Sequence, residues 1–186
     1  MRIIGGTARG TKLYTLEGEN TRPTLDRVKE SLFNILNFKF IDACVLDLFA
    51  GSGAIGLEAI SRGAKEAILC DVSKDAYKVI VSNVNKTRTN EKVKVYNSDY
   101  EKCLNKLYGE NYKFDIVFLD PPYESEYYKK SLDKIYEYEL LTEDGIVILE
   151  TDDKERIISE IDTEKYYIYD ERKYGRANLI FLDRKG

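Results

Sequence analysis

From Ala43 onward the chain alternates short apolar runs with amphipathic stretches, and this alternation constrains the fold more than any other feature. Residues 43–48, 66–70, 93–96, 114–119 and 145–150 read as buried strands. Between them lie helical patterns over residues 54–62 (stopped by Gly63), from a Ser73 cap to about Lys86, over 100–107 and over 127–138. Strands that alternate with helices imply an α/β fold with a doubly wound, mainly parallel sheet. Residues 165–170 and 177–182 read as two more strands, joined as a hairpin around Tyr174-Gly175-Arg176. At the other end, residues 2–6 and 12–14 can pair around a Gly-rich turn. Thr24 then reads as the cap of a helix with Val28, Leu32, Ile35 and Leu36 on one face. The expected division is an extension over residues 1–20 and a main domain over 21–186.

A chain of 186 residues with 43% hydrophobic and 33% charged residues suits one globular domain. It has no apolar run long enough for a membrane span, and its start lacks the apolar core of a signal peptide. It has no histidine, which excludes Ser-His-Asp triads and His-ligated metals. Cys44, Cys70 and Cys103 are odd in number and widely spaced, so a disulfide framework or zinc site is not expected and a reducing cytoplasm fits. The net charge of -4 does not advertise nucleic-acid binding, but Arg2, Arg9 and Lys12 sit in an N-terminal stretch without acids, and Arg22, Arg27 and Lys29 follow.

Gly51, Gly53 and Gly56 match G-x-G-x-x-G between the first core strand and its helix. Such glycines let the backbone turn tightly and approach a nucleotide-like ligand. The surrounding acids discriminate among ligands. Asp47 at the first strand tip would repel a pyrophosphate and suits an ammonium. Asp71, 20 residues after Gly51, can accept from ribose hydroxyls, and Asp99 follows the third strand, where it can accept from an adenine amino group. Acids at successive strand tips fit S-adenosylmethionine, which has no phosphate, better than a dinucleotide. Helix capping is the plainer role for each of them.

Asp120-Pro121-Pro122-Tyr123 follows the 114–119 strand. Proline rings fix φ and donate no N–H, leaving their carbonyls free to accept. With the Asp120 carboxylate and the Tyr123 ring, this platform can grip a planar group bearing an exocyclic NH2, such as a nucleobase. Pro-Pro can also simply end a strand.

These residues resemble a class I S-adenosylmethionine-dependent methyltransferase, and more narrowly the bacterial RsmD family of 16S ribosomal RNA guanine-N2 methyltransferases. The resemblance rests on Arg2-Ile3-Ile4-Gly5-Gly6 with Arg9-Gly10, on Arg22-Pro23-Thr24 with Asp26–Glu30, on the 47–56 loop and on Asp120–Tyr123. It implies a Rossmann-like, seven-stranded, mainly parallel sheet with a reversed last strand and an N-terminal β-hairpin. It implies methyl transfer to N2 of a guanine flipped into the pocket, with Tyr123 stacked on the base and Asp120 and the Pro121 carbonyl holding N2. The expected cofactor set is Asp47, Phe49, Gly51, Ser52, Gly53, Asp71, Asp99 and Tyr100. The expected RNA contacts are Arg9, Lys12, Arg22 and Arg27, with Lys29 beside them. The implied partner is 16S rRNA within a small-subunit ribonucleoprotein particle. No metal and no membrane are implied, and a monomer is expected. Open alternatives are an N-methyltransferase of DNA or of a protein amide, an NAD-dependent oxidoreductase, and a non-catalytic RNA-binding assembly factor.

Overall fold

The structure, a computed structural model, describes residues 1–16, 23–122 and 126–186. Its elements are α1 (Pro23–Leu36), a 3-10 turn (Asn37–Phe40), β1 (Cys44–Asp47), α2 (Ala54–Ser61), β2 (Glu66–Asp71), α3 (Lys74–Thr87), β3 (Val93–Asn97), α4 (Tyr100–Gly109), β4 (Phe114–Leu119), α5 (Tyr127–Glu137), β5 (Leu141–Thr151), α6 (Lys154–Glu160), β6 (Tyr166–Tyr174) and β7 (Ala177–Arg184). One seven-stranded sheet runs in the order β3-β2-β1-β4-β5-β7-β6. Strands β1 to β5 are parallel; β7 runs antiparallel to both β5 and β6, so it is the reversed strand.

The central strands β1, β2 and β4 are mostly apolar because both their faces are covered. Side chains alternate between two cores. One core joins Val45 and Phe118 to Leu32 and Phe33 of α1, Leu57 of α2 and Ile80 of α3. The other joins Leu46 and Val117 to Leu104 of α4, Leu132 of α5 and Ile157 of α6. Chain direction across the sheet reverses between β1 and β4. The crevice outside the carboxyl ends of these strands is where an open α/β sheet binds its ligand.

Two local expectations are corrected, and one helix was not expected. Ile35 is 38% exposed, and Phe33 takes the buried place, its ring 4.4 Å from that of Phe40 and under the Arg62 guanidinium. Thr24 is the second residue of α1 rather than the residue before it. Helix α6, with Asp153 accepting from the Arg156 N–H at its start, has a stretch too short and polar to show a period.

The N-terminal segment pairs with itself: Arg2 bridges Lys12, the Ile3 N–H donates to the Thr11 carbonyl and the Leu13 N–H to that of Met1. It is also part of the main body, since Ile3 and Leu13 are buried in the first core. Its dock on α2 is Glu58, fully buried, which accepts from the Ile4 and Gly5 N–H groups at 2.8 Å each and from Arg62 Nε at 2.8 Å. Ser61 adds a second point, accepting from the Ala8 N–H and donating to the Gly5 carbonyl.

Candidate active site

The carboxyl edge of the sheet carries an acid at each central strand: Asp71 on β2, Asp47 on β1, Asp120 just past β4 and Glu150 on β5. The parallel register sets Asp47 beside Phe118 and Leu119 beside Leu149, so Asp120 stands level with Glu150. Asp47 is 1% exposed, and its Oδ1 has no hydrogen-bond partner among the described residues. Burial, then the charges of Asp120 and Asp71, push its carboxyl up to about 8, against a pull downward from the Gly56 N–H. Burial and the charges of Asp120 and Asp47 likewise raise the Glu150 carboxyl. Glu150 was missed as a site residue, although it too is an acid at a strand tip. Like charges gathered in a poorly solvated crevice favour a cationic ligand.

The glycine loop closes against these acids. Gly51 and Gly53 take left-handed φ values of 55° and 78°, which residues with a Cβ rarely adopt. The Gly51 N–H donates to Asp71 Oδ2 at 2.9 Å, and the Ser73 N–H to Asp71 Oδ1 at 2.9 Å. A Cβ on Gly56 would sit 2.1 Å from a Leu69 methyl, so the third glycine allows α2 to lie against β2. A Cβ on Gly51 would meet nothing within 4 Å, so the loop faces open space there.

The capping role holds for Asp99, whose Oδ1 accepts from the Lys102 N–H at 2.9 Å at the start of α4. That bond, foremost, holds its carboxyl below the usual range, so it is ionised and retains acceptor capacity. Ser73 caps α3 as expected, accepting from the Ala76 N–H. Asn97 Nδ2 donates to the carbonyls of Asp71 and Val72, holding the β2 tip with Val72 70% exposed beside it.

Three rings meet above this edge: Phe49 lies 5.8 Å from Tyr100 and 6.0 Å from Tyr127, and Tyr100 lies 5.2 Å from Tyr127, centroid to centroid. Tyr127, at the start of α5, was not singled out from the sequence because it is one of 15 tyrosines. Burial, then Glu101, raises the Tyr100 hydroxyl to about 12, so it stays neutral. Pro121 is buried, Asp120 is exposed, and Tyr123 lies outside the described residues.

Of the basic residues, Arg9, Lys12 and Arg27 are exposed and form no ion pair among the described residues. Arg22 lies outside the described residues. Lys29 is corrected: it is 3% exposed, its ammonium is 3.4 Å from Glu58 and bonded to the Arg2 carbonyl, and no phosphate can reach it. Arg9 and Lys12 ride on the segment docked along α2, apart from the acids.

All three cysteines are free. Burial foremost pushes the Cys44 thiol up to about 12, and the Cys70 thiol is raised by its neighbour Cys103 and by burial, so neither is poised as a thiolate nucleophile. Among the described residues no group of three potential ligands could hold a metal ion, and no helix is long and apolar enough to cross a membrane.

The described geometry fits S-adenosylmethionine. A buried, unpartnered Asp47 oxygen awaits a cation or donor, the glycine loop opens beside it, and the acids gathered along the edge suit a cation better than a pyrophosphate.

Comparison with known proteins agrees with this geometry. A family model described as "Conserved hypothetical protein 95" matches residues 1–183. A Bacillus subtilis (strain 168) protein with a provisional rRNA methyltransferase name, YlbH, is 40% identical over 152 residues, covering 82% of this chain and 83% of its own length. Ribosomal RNA small subunit methyltransferase D of Haemophilus influenzae is 34% identical over 160 residues, covering 86% and 82%. A solved Escherichia coli structure with a provisional methyltransferase name superposes with a TM-score of 0.83 at 30% identity, covering 100% of this chain and 98% of that one.

Proposed function

The chain belongs to the conserved hypothetical protein 95 family, the RsmD family, and from that premise we propose that it is an rRNA methyltransferase that uses S-adenosylmethionine to methylate N2 of a guanine in 16S rRNA. The observation that carries the proposal is the pairing of an orphaned, buried Asp47 oxygen beside the glycine loop with Asp120-Pro121 at the neighbouring strand tip.

S-adenosylmethionine, when bound, supplies an activated methyl group on a sulfonium. Asp47 would receive its ammonium, the backbone of Gly51, Ser52 and Gly53 its methionine part, Asp71 its ribose, and Asp99 its adenine amino group. Phe49 and Tyr100 would wall the crevice. On the acceptor side, the base must leave its stack to reach the crevice. Tyr123 is assigned the stacking partner. Asp120 and the Pro121 carbonyl accept hydrogen bonds from N2, which aims the nitrogen lone pair and favours positive charge developing there. The Asp120 carboxylate is then the nearest named base for the N2 proton. Positioning and preformed charge supply most of the acceleration.

Arg9, Lys12, Arg22 and Arg27 are assigned to RNA phosphates. In this reading residues 1–20 are an RNA-contacting extension of a catalytic domain over 21–186. The substrate is the rRNA within a small-subunit particle, and the enzyme acts as a monomer in the cytoplasm.

The test is transfer of labelled methyl from S-adenosylmethionine to four acceptors: small subunits lacking the modification, naked 16S rRNA, duplex DNA and total protein. Label in the rRNA of the subunits is expected. Label only in DNA or protein would contradict the reading.

A further inference from the structure

Asn83 is the one side chain among the described residues seen to hydrogen-bond both the cofactor loop and the N-terminal segment. It lies deep in α3, fully buried. Asparagine is a weak helix former, and a buried amide must find partners. Asn83 finds them outside its own helix. Its Oδ1 accepts from the Tyr14 N–H at 2.7 Å, and its Nδ2 donates to the Tyr14 carbonyl at 3.0 Å and to the Ser52 carbonyl at 2.9 Å. Two carbonyls and one N–H fix the amide's orientation, since a flip would set oxygen against both carbonyls.

The two anchored points have different neighbourhoods. Ser52 sits between the left-handed Gly51 and Gly53 in the loop that closes on Asp71. Tyr14 ends the self-paired segment that exposes Arg9 and Lys12. Glu58 and Ser61 also dock that segment, but they hold residues 4, 5, 7 and 8 and are seen to bond nothing in the loop. Order imposed on Ser52 therefore has a direct route to Tyr14, and the reverse.

We propose that Asn83 is a positioning residue that couples cofactor binding to the order of the N-terminal segment, so that the cofactor and the RNA that contacts this segment strengthen each other's binding. The inference rests on the cofactor reading above. By linkage the effect of each ligand on the other must be equal. Alanine at 83 removes all three bonds. Aspartate keeps the acceptor for Tyr14 and loses both donors, setting a carboxylate against two carbonyls.

The test is hydrogen exchange of the amides of residues 3–14 with and without S-adenosylhomocysteine, in the wild type, in Asn83→Ala and in the isosteric Asn83→Asp should the alanine variant fail to fold. The expected result is that the ligand slows exchange at Leu13 and Tyr14 about fivefold or more in the wild type, and that the ratio falls to near one in the variants. A purely structural role would raise exchange in both states and leave the ratio unchanged, which would overturn the inference. Binding without added protection in the wild type would overturn it alone. Failure of the wild type to bind S-adenosylhomocysteine at all would overturn the cofactor reading as well.

Discussion

Asp47 and Asp120 stand at the tips of adjacent parallel strands, and the Asp120 charge helps keep the buried Asp47 carboxyl up at about 8. The fold therefore carries an electrostatic cost at the site where a cation is proposed to bind.

Asp47→Asn should relieve that cost. A carboxyl whose folded value lies above its unfolded value of about 4 loses stability as pH rises between the two, and the loss is complete above about 8. The ligand-free wild type should gain on the variant toward pH 4, and the variant should be more stable by a few kcal/mol near pH 8. Its affinity for S-adenosylhomocysteine should fall at least tenfold. Urea denaturation at pH 5 and pH 8, with calorimetric titration of the ligand, checks both. Equal stability at the two pH values would contradict the buried-charge account.

Glu58→Ala should be among the more damaging single changes away from the crevice. It strands the buried Lys29 ammonium and frees the Ile4 and Gly5 N–H groups. Breaking a buried pair by removing one partner costs about 3–5 kcal/mol. A loss under 1 kcal/mol by denaturant titration would show that the N-terminal dock is not held in this way.

Arg9→Ala with Lys12→Ala should weaken RNA binding and lower the dependence of log affinity on log salt by about two, one per phosphate contact. Cofactor affinity should stay within twofold. An unchanged salt slope would move the RNA contact elsewhere on the surface.

Asp120→Asn should lower kcat by about a hundredfold, with cofactor affinity changed much less, because the carboxylate is proposed to act where charge develops. Turnover near that of the wild type would remove Asp120 from any role as base.

The strand and helix pattern carried most of the architecture into view, because strands buried on both faces must be apolar runs and β4 spans the same residues in sequence and structure. What it hid was set by tertiary contact. Phe33 rather than Ile35 turns inward because Phe40 and Arg62 wait for its ring. Lys29 looked like surface charge, and only the buried Glu58, 29 residues away, makes it structural. Glu150 and Tyr127 join the crevice through strand order and helix placement, which no local motif encodes. The glycine loop and Asp120-Pro121 were visible because their chemistry is local in sequence.

The proposed reaction at this edge is methylation of N2 of a guanine in 16S rRNA. The most direct test is mass spectrometry of nucleosides digested from small subunits, taken from cells lacking this gene and treated with the enzyme and S-adenosylmethionine. One new N2-methylguanosine per subunit is expected, formed about a hundredfold more slowly with Asp120→Asn. A methyl group on another base, or on N1 or N7 of guanine, would contradict it.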